Sequence, residues 1–308
     1  MKFSLRQAEV FVAVARSGTV SAAAEQLSLS QSAASSALSD MERQFDCLLF
    51  DRVGKSLRLN SLGEQVLPRA VELLDRAREI EDLLAGRAGL GPLRIGATLT
   101  IGNYLGPLIV ADLLRRHPEA RISLTVHNTA TIVEQLAGFE IDLGLIEGPC
   151  RHPDLRVEPW VDDELAVFCP PAHPLAGKRR VAPSTLMEQP WILRERGSGT
   201  REVFDRAVHR LGLEPHVRLE LEHTEAIKRA VESGLGLGCI SRLALREAIR
   251  RGSLVALRTP EFELRRRFQF VRHKDKYATS VLREFLAACR ALTAGVRRSD
   301  LIDLPYIP

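Results

Sequence analysis

The chain has 308 residues, 45% of them hydrophobic and 27% charged, so at roughly 150 residues per domain it holds about two domains with real cores, and a minimal disulfide-stapled scaffold is excluded. No stretch approaches the roughly 18 unbroken apolar residues of a membrane helix, and the start lacks a basic segment followed by an apolar one, so a soluble, cytoplasmic protein with no membrane partner is expected. Forty-three basic against 39 acidic side chains leave a net charge of only +4, with seven basic and six acidic among residues 1–60; a role on nucleic acid must therefore rest on pattern, not bulk charge.

The first forty-five residues read as three short helices. Leu5, Ala8, Val12 and Ala15 recur at spacings of three and four on one apolar face, and Gly18 stops that helix. A second runs from about Val20 to Leu27, with Thr19 or Ser21 as its cap. Leu27 to Ser30 then makes a turn of helix-turn-helix length, and Ser30 can cap a third helix reaching about Gln44. Ala34, Leu38, Met41 and Phe45 form its buried stripe, while Gln31, Ser32, Ser35, Ser36 and Ser39 occupy the opposite face. Small hydroxyl and amide groups suit a helix that enters the major groove of DNA, where Gln31 can bond adenine twice. Serine is a mediocre helix former, so such a cluster needs a reason. Arg52, Lys55 and Arg58 follow in a hairpin-like stretch turning at Gly54, placed to touch phosphates.

From Asn60 to about Arg87 the chain reads as one long helix, ended by Gly86, Gly89, Gly91 and Pro92. Val66, Ala70, Leu73, Ala77, Ile80 and Leu84 alternate gaps of four and three, the heptad signature of a helix that pairs with another helix. A second copy of itself is the simplest partner, and packing on its own downstream domain is the alternative; Leu74 lies off this stripe.

Beyond residue 92 the period changes. Strands at Leu93 to Ala97, Arg121 to Val126 and Asp142 to Ile146 alternate with helices at Asn103 to Arg116 and Thr131 to Gly138. A similar run covers Leu165 to Phe168, Trp191 to Leu193, Thr200 to Leu211, Val217 to Leu221, Thr224 to Ser233 and Gly238 to Ser241. Two α/β lobes in tandem imply a cleft, and a last strand, Phe268 to Val271, with a helix from Ala278 to Leu292 returns to the first lobe. The chain would cross between lobes near Val161 to Glu164 and Leu264 to Arg267, and Arg265, Arg266 and Arg267 read as a solvated face. The expected division is a DNA-binding domain at 1–60, a linker helix at 61–89, a first lobe at 90–162 and 267–295, a second at 163–266, and a loosely ordered tail at 296–308.

Five scattered cysteines without a C-x-x-C pair fit a reducing compartment, and the histidines form no metal-ligand spacing. No nucleophile elbow, Walker motif or dinucleotide glycine pattern is present, so neither an enzyme nor a bound cofactor or metal is expected.

Ala22-Ala23-Ala24-Glu25-Gln26-Leu27, Ser30-Gln31-Ser32-Ala33, Leu49-Phe50-Asp51-Arg52, Gly63 and His173-Pro174-Leu175 resemble the LysR-type transcriptional regulators over nearly the whole chain. Ala34 and Ala37 stand where that family usually has larger residues, and Leu62 replaces a usual alanine. The resemblance implies a winged helix-turn-helix, a linker-helix dimer, tetramers built from dimers, and a two-lobed α/β effector domain resembling type 2 periplasmic binding proteins. Its implied partners are promoter DNA, further copies of the chain and RNA polymerase.

Thr98 and Thr100 follow the first strand at i and i+2, so in extended chain both hydroxyls point one way into the cleft, just before a helix. In the second lobe Arg196, Ser198, Gly199 and Thr200 lead into another helix. Together these donors favour a small oxyanion bridging two helix ends and closing the cleft. Glu147, after the third strand, borders the same space and would repel an anion unless Arg196 or Arg201 neutralises it. The threonines, and Leu145 to Pro149, look like the sulfur-assimilation branch, which implies sulfite or sulfate as effector. The competing reading is a solute-binding protein whose N-terminal helices only bind a partner.

Overall fold

The computed structural model describes residues 2–54, 56–85 and 91–304. The head is built from α1 (Leu5–Ser17), α2 (Val20–Gln26), α3 (Gln31–Gln44) and a two-stranded wing, β1 (Phe50–Val53) and β2 (Ser56–Leu59). Each helix starts where a short polar side chain accepts an otherwise unpaired backbone N–H: Ser4 from Gln7, Thr19 from Ala22 and Ser30 from Ala33. Gly18, at φ +70°, ends α1 with its N–H on the Val14 carbonyl. Ala8, Phe11, Val12, Ala34, Leu38 and Met41 meet in one core. Phe45, expected on that stripe, lies just past α3 and is 48% exposed, its ring edge-on to Phe3.

The linker helix α4 spans Ser61–Leu84, capped by Asn60. Gly63 is required there, because a Cβ would sit 2.2 Å from the Leu49 carbonyl oxygen. The helix carries two apolar stripes. Leu67, Ala70, Val71 and Leu74 are buried in the head's core. Among the residues expected to form a seam, Ala70 is buried in its own chain, Val66, Leu73 and Ala77 are half-buried, and Ile80 and Leu84 are exposed. Leu74, off the expected stripe, is a core residue of the head, where α4 packs against α1.

The remainder is one curved α/β body. Its first lobe holds β3 (Leu93–Ala97), α5 (Leu99–Tyr104), α6 (Gly106–Arg116), β4 (Ile122–Val126), α7 (Thr129–Ala137) and β5 (Leu143–Ile146). The long β6 (Leu155–Cys169) leads to α8 (Pro183–Met187), β7 (Pro190–Arg194), α9 (Gly199–His209), β8 (His216–Leu221), α10 (Thr224–Glu232), β9 (Leu237–Ser241), α11 (Arg242–Arg250) and β10 (Val255–Ala256). Then β11 (Arg265–His273) and α12 (Ser280–Leu292) return to the first lobe, where α12 packs on α6. Strand order is β4-β3-β5-β11-β6-β9-β7-β8, with β10 on β6. Parallel β4-β3-β5 and parallel β9-β7-β8 are joined by the antiparallel ribbon of β6 and β11. The expected crossings fall inside this ribbon, where Glu164, Asp163 and Asp162 pair with Arg265, Arg266 and Arg267.

Three expectations change. The helix expected over 103–116 is two helices, because Pro107 has no N–H to continue α5. Two helices are additional, α8 before β7 and α11 after β9. The tail is docked as far as Leu304: Ser299 is fully buried, and Ile302 and Leu304 join the core of the first lobe.

Candidate DNA-reading face and effector cleft

On α3, Gln31, Ser32, Ser35 and Ser36 are all exposed while Ala34, Leu38 and Met41 are buried beneath them. The hydroxyl of Ser32 lies 3.0 Å from that of the capping Ser30. In the wing, Arg52 is opposite Leu57 and Arg58 is opposite Asp51. Directly opposed residues share a face, so the two exposed arginines emerge on opposite faces of the ribbon. Lys55 lies outside the described residues.

The cleft is closed on a carboxylate of the chain itself. Glu147, just past β5, is 3% exposed. Its Oε1 accepts the N–H of Thr100 at 2.6 Å and of Ile101 at 3.1 Å. Its Oε2 accepts the Thr200 hydroxyl at 3.4 Å and pairs with Arg266 Nη2 at 3.0 Å. Arg266, with a side chain 2% exposed, also donates to Asp163 at 2.6 Å, to Thr200 at 2.8 Å and to Thr100 at 3.4 Å. Asp163 in turn accepts the hydroxyls of Ser241 and Ser299. Burial alone would raise Glu147, but Arg266 first and Arg194 second outweigh it and hold its carboxyl below the usual range. Backbone closes the space beside it: a Cβ on Gly148 would lie 2.5 Å from the Gly199 Cα, and one on Gly199 only 2.4 Å from that of Gly148. The buried Thr129 hydroxyl, which makes no hydrogen bond, faces this contact.

The expected cleft residues Thr98, Thr100, Glu147, Ser198, Gly199 and Thr200 are all buried at this junction, with changed roles. Thr98 is the cap residue of α5 and donates its hydroxyl to the Leu145 carbonyl at 3.3 Å; Thr100 is already helical, so the two-residue period that aligned them does not apply. Ser198 precedes α9 without capping it through its side chain. Arg196 is exposed and does not reach Glu147. Arg201 is held by Asp205, Glu220 and the Arg194 carbonyl. The neutralising residue is Arg266, from the triplet read as a solvated face. In a strand the middle residue of three points away from its neighbours, so exposed Arg265 and Arg267 flank a buried Arg266. That alternation was the available signal, and it needed the strand to begin three residues earlier than expected.

Among the described residues no group of His, Cys, Asp and Glu could hold a metal ion, and no helix is long and apolar enough to cross a membrane. All five cysteines are free; burial pushes the thiols of Cys169 and Cys239 up to about 11 and about 12.

A winged three-helix head, a long helix and a two-lobed body with a closed polar cleft define a ligand-responsive DNA-binding regulator. The models of the LysR-family bacterial regulatory helix-turn-helix and of the LysR substrate binding domain match residues 5–64 and 87–294. The chain belongs to the LysR family of transcriptional regulators, and is a regulator, not an enzyme. It is 42% identical to YeiE, an uncharacterized HTH-type transcriptional regulator of Escherichia coli K12, over 94% of this chain and 98% of that one. It is 31% identical to the HTH-type transcriptional regulator CysL of Bacillus subtilis, over 85% and 89%. The regulatory domain of Synechocystis CcmR, solved in complex with 2-PG, superposes with a TM-score of 0.63 at 32% identity, covering 67% of this chain and 99% of that domain.

Proposed function

We propose that this regulator senses a small oxyanion, sulfite or sulfate, which takes the place of the Glu147 carboxylate between the lobes. The observation that carries the reading is the set of donors around that carboxylate: two backbone N–H groups, the Thr200 hydroxyl and a buried guanidinium. Such donors recognise any anion with three or four oxygens. The resemblance to the sulfur-assimilation branch, and the similarity to CysL, support sulfur oxyanions as the first choice. Because the cleft is already shut on Glu147, the signal is an exchange of that one carboxylate for the oxyanion and not the closing of an open cleft. Arg266, although it also pairs with Asp163, and Arg194 supply the positive charge that faces the anion.

Dimerisation along Leu73, Ala77, Ile80 and Leu84 belongs to the same reading, with Val66 continuing the seam, and tetramers and RNA polymerase contact extend it. Half-buried and exposed apolar side chains at heptad spacing need a partner helix.

Calorimetry with sulfite, sulfate and 2-PG tests the effector. Sulfite or sulfate is expected to bind the wild-type protein, Glu147→Gln to bind it more tightly because the competing charge is gone, and Thr200→Val to lose about 1–3 kcal/mol. Failure of both sulfur anions to bind, or wild-type affinity in Thr200→Val, overturns the assignment.

A further inference from the structure

We infer that the head, α4 and the first lobe are fastened into one mechanical body by Phe139 and Lys276, and that a change at Glu147 reaches the head through this fastening. The mechanical part stands by itself; the signalling part rests on the proposed function.

Phe139 follows α7 in the first lobe, yet its ring is 3% exposed and belongs to the core of the head. It also lies against the His273 ring, with centroids 4.0 Å apart and planes tilted by 39°. The residue has φ +55°, a conformation that a bulky side chain adopts only when its surroundings fix it. Beside it, Lys276 has a side chain 3% exposed and spans two carboxylates: Asp75 of α4 at 2.5 Å and Asp142 of the first lobe at 2.8 Å. One turn further along α4, Glu79 accepts the Ser280 N–H at 3.0 Å and the Tyr277 hydroxyl at 3.3 Å, while the Arg76 guanidinium lies 4.2 Å from the centre of the Tyr277 ring.

Asp142 receives the backbone N–H and the guanidinium of Arg94 as well. Burial would raise it, but Lys276 and Arg94 keep it well below the usual carboxylate range. Arg16, at the end of α1, feels the charges of Arg94, Asp142 and Asp75 in the same junction, and burial lowers it to about 10. All three parts of the chain therefore share one desolvated charge cluster. Removing one member of such a cluster leaves the others unbalanced in a medium that solvates them poorly.

Two neighbouring strands connect this cluster to the cleft. Asp142 immediately precedes β5 and Glu147 immediately follows it; β11 carries Arg266 near one end and His273 at the other. The strands pair directly, Gln269 opposite Ile146 and Val271 opposite Gly144. At about 3.3 Å per residue the route along β5 from Asp142 to Glu147 is roughly 17 Å long. A shift of Glu147 against Arg266 is thus a shift of the two strands that hold Phe139's neighbour His273 and Lys276's partner Asp142.

Hydrogen exchange of the full-length protein read by mass spectrometry tests the fastening. In Lys276→Met and in Phe139→Ala, amides of α1 and of the buried part of α4 are expected to exchange about ten-fold faster or more, while β7 and β9 of the second lobe keep their wild-type rates and Lys276→Arg restores protection. Unchanged exchange in α1 and α4 for Lys276→Met overturns it, and that variant decides if Phe139→Ala also loosens β7 and β9. For the signalling part, operator affinity is measured with and without sulfite. Lys276→Met is expected to bind sulfite within about two-fold of wild type while the ratio of the two operator affinities falls towards one. A wild-type ratio retained in that variant overturns the signalling route. Absence of any sulfite response in the wild-type protein overturns both that route and the proposed effector, and leaves the exchange result to decide the fastening.

Discussion

Along α3 the side chains proposed to read DNA are Gln31, Ser32, Ser35 and Ser36, neighbours on successive turns, uncharged and exposed. The cleft is assembled instead from Thr100, Glu147, Asp163, Thr200 and Arg266, up to 166 positions apart and almost wholly buried. An exposed, neutral face places little demand on the fold, since water satisfies its groups before and after folding. A buried charge set has to balance itself, so its members hold the two lobes together as well as defining what can bind there. Reading DNA and sensing a ligand are therefore separable from stability to very different degrees in one chain.

The sharpest test of that contrast is Arg266→Met. It strands Glu147 and Asp163 in the interior, and a loss of about 3–5 kcal/mol is expected in denaturant titrations of the full-length protein. A loss below about 1 kcal/mol would show that water reaches the cleft and that the two regions are not so unlike.

Within α4 the two apolar stripes give a second comparison. Leu74→Asp buries a charge in the core of the head and is expected to cost about 3 kcal/mol or more, seen as a lowered melting temperature. Ile80→Asp, at a position 57% exposed, is expected to leave the subunit folded and to weaken the oligomer in light scattering. Equal effects of the two on oligomeric state, with no difference in melting, would remove the distinction between the stripes.

On the DNA-reading face Gln31→Ala is expected to change stability by less than about 0.5 kcal/mol, yet to weaken a specific site by about 1–3 kcal/mol with little effect on random DNA. Arg52→Ala should weaken both alike and flatten the salt dependence by about one charge. Parallel losses on specific and random DNA for both variants would mean that α3 does not read bases.

The smallest expected effect is on acid stability. The carboxyl of Glu147 is depressed in the folded protein, so its stabilising contribution is complete above the ordinary glutamate value of about 4.3 and is lost as pH falls through the folded value. Unfolding titrations from about pH 6 to about pH 3 should show a steeper decline for wild type than for Glu147→Gln. Identical slopes would indicate that the carboxylate is not held in its charged form by Arg266.

Much of the head could be read directly from the chain, because its determinants are local. Thr19 and Ser30 cap the helices that follow them, Asn60 opens the linker helix, Gly18 ends the first, and the stripe Ala34, Leu38, Met41 fixes which face of α3 turns inward. The alternation of strands and helices, and the grouping of threonines and glycines at the cleft, were legible for the same reason: each depends on residues a few positions apart. Tertiary structure decided what periodicity cannot encode. Which of two stripes on α4 meets the head depends on α1, and which arginine neutralises Glu147 depends on the pairing of β11 with β6. Arg266 lies 119 positions from Glu147, counting from the one residue number to the other. No spacing rule reaches across that interval, and only the alternation of the strand, once its register against Asp163 is set, turns that guanidinium inward while its two neighbours face water.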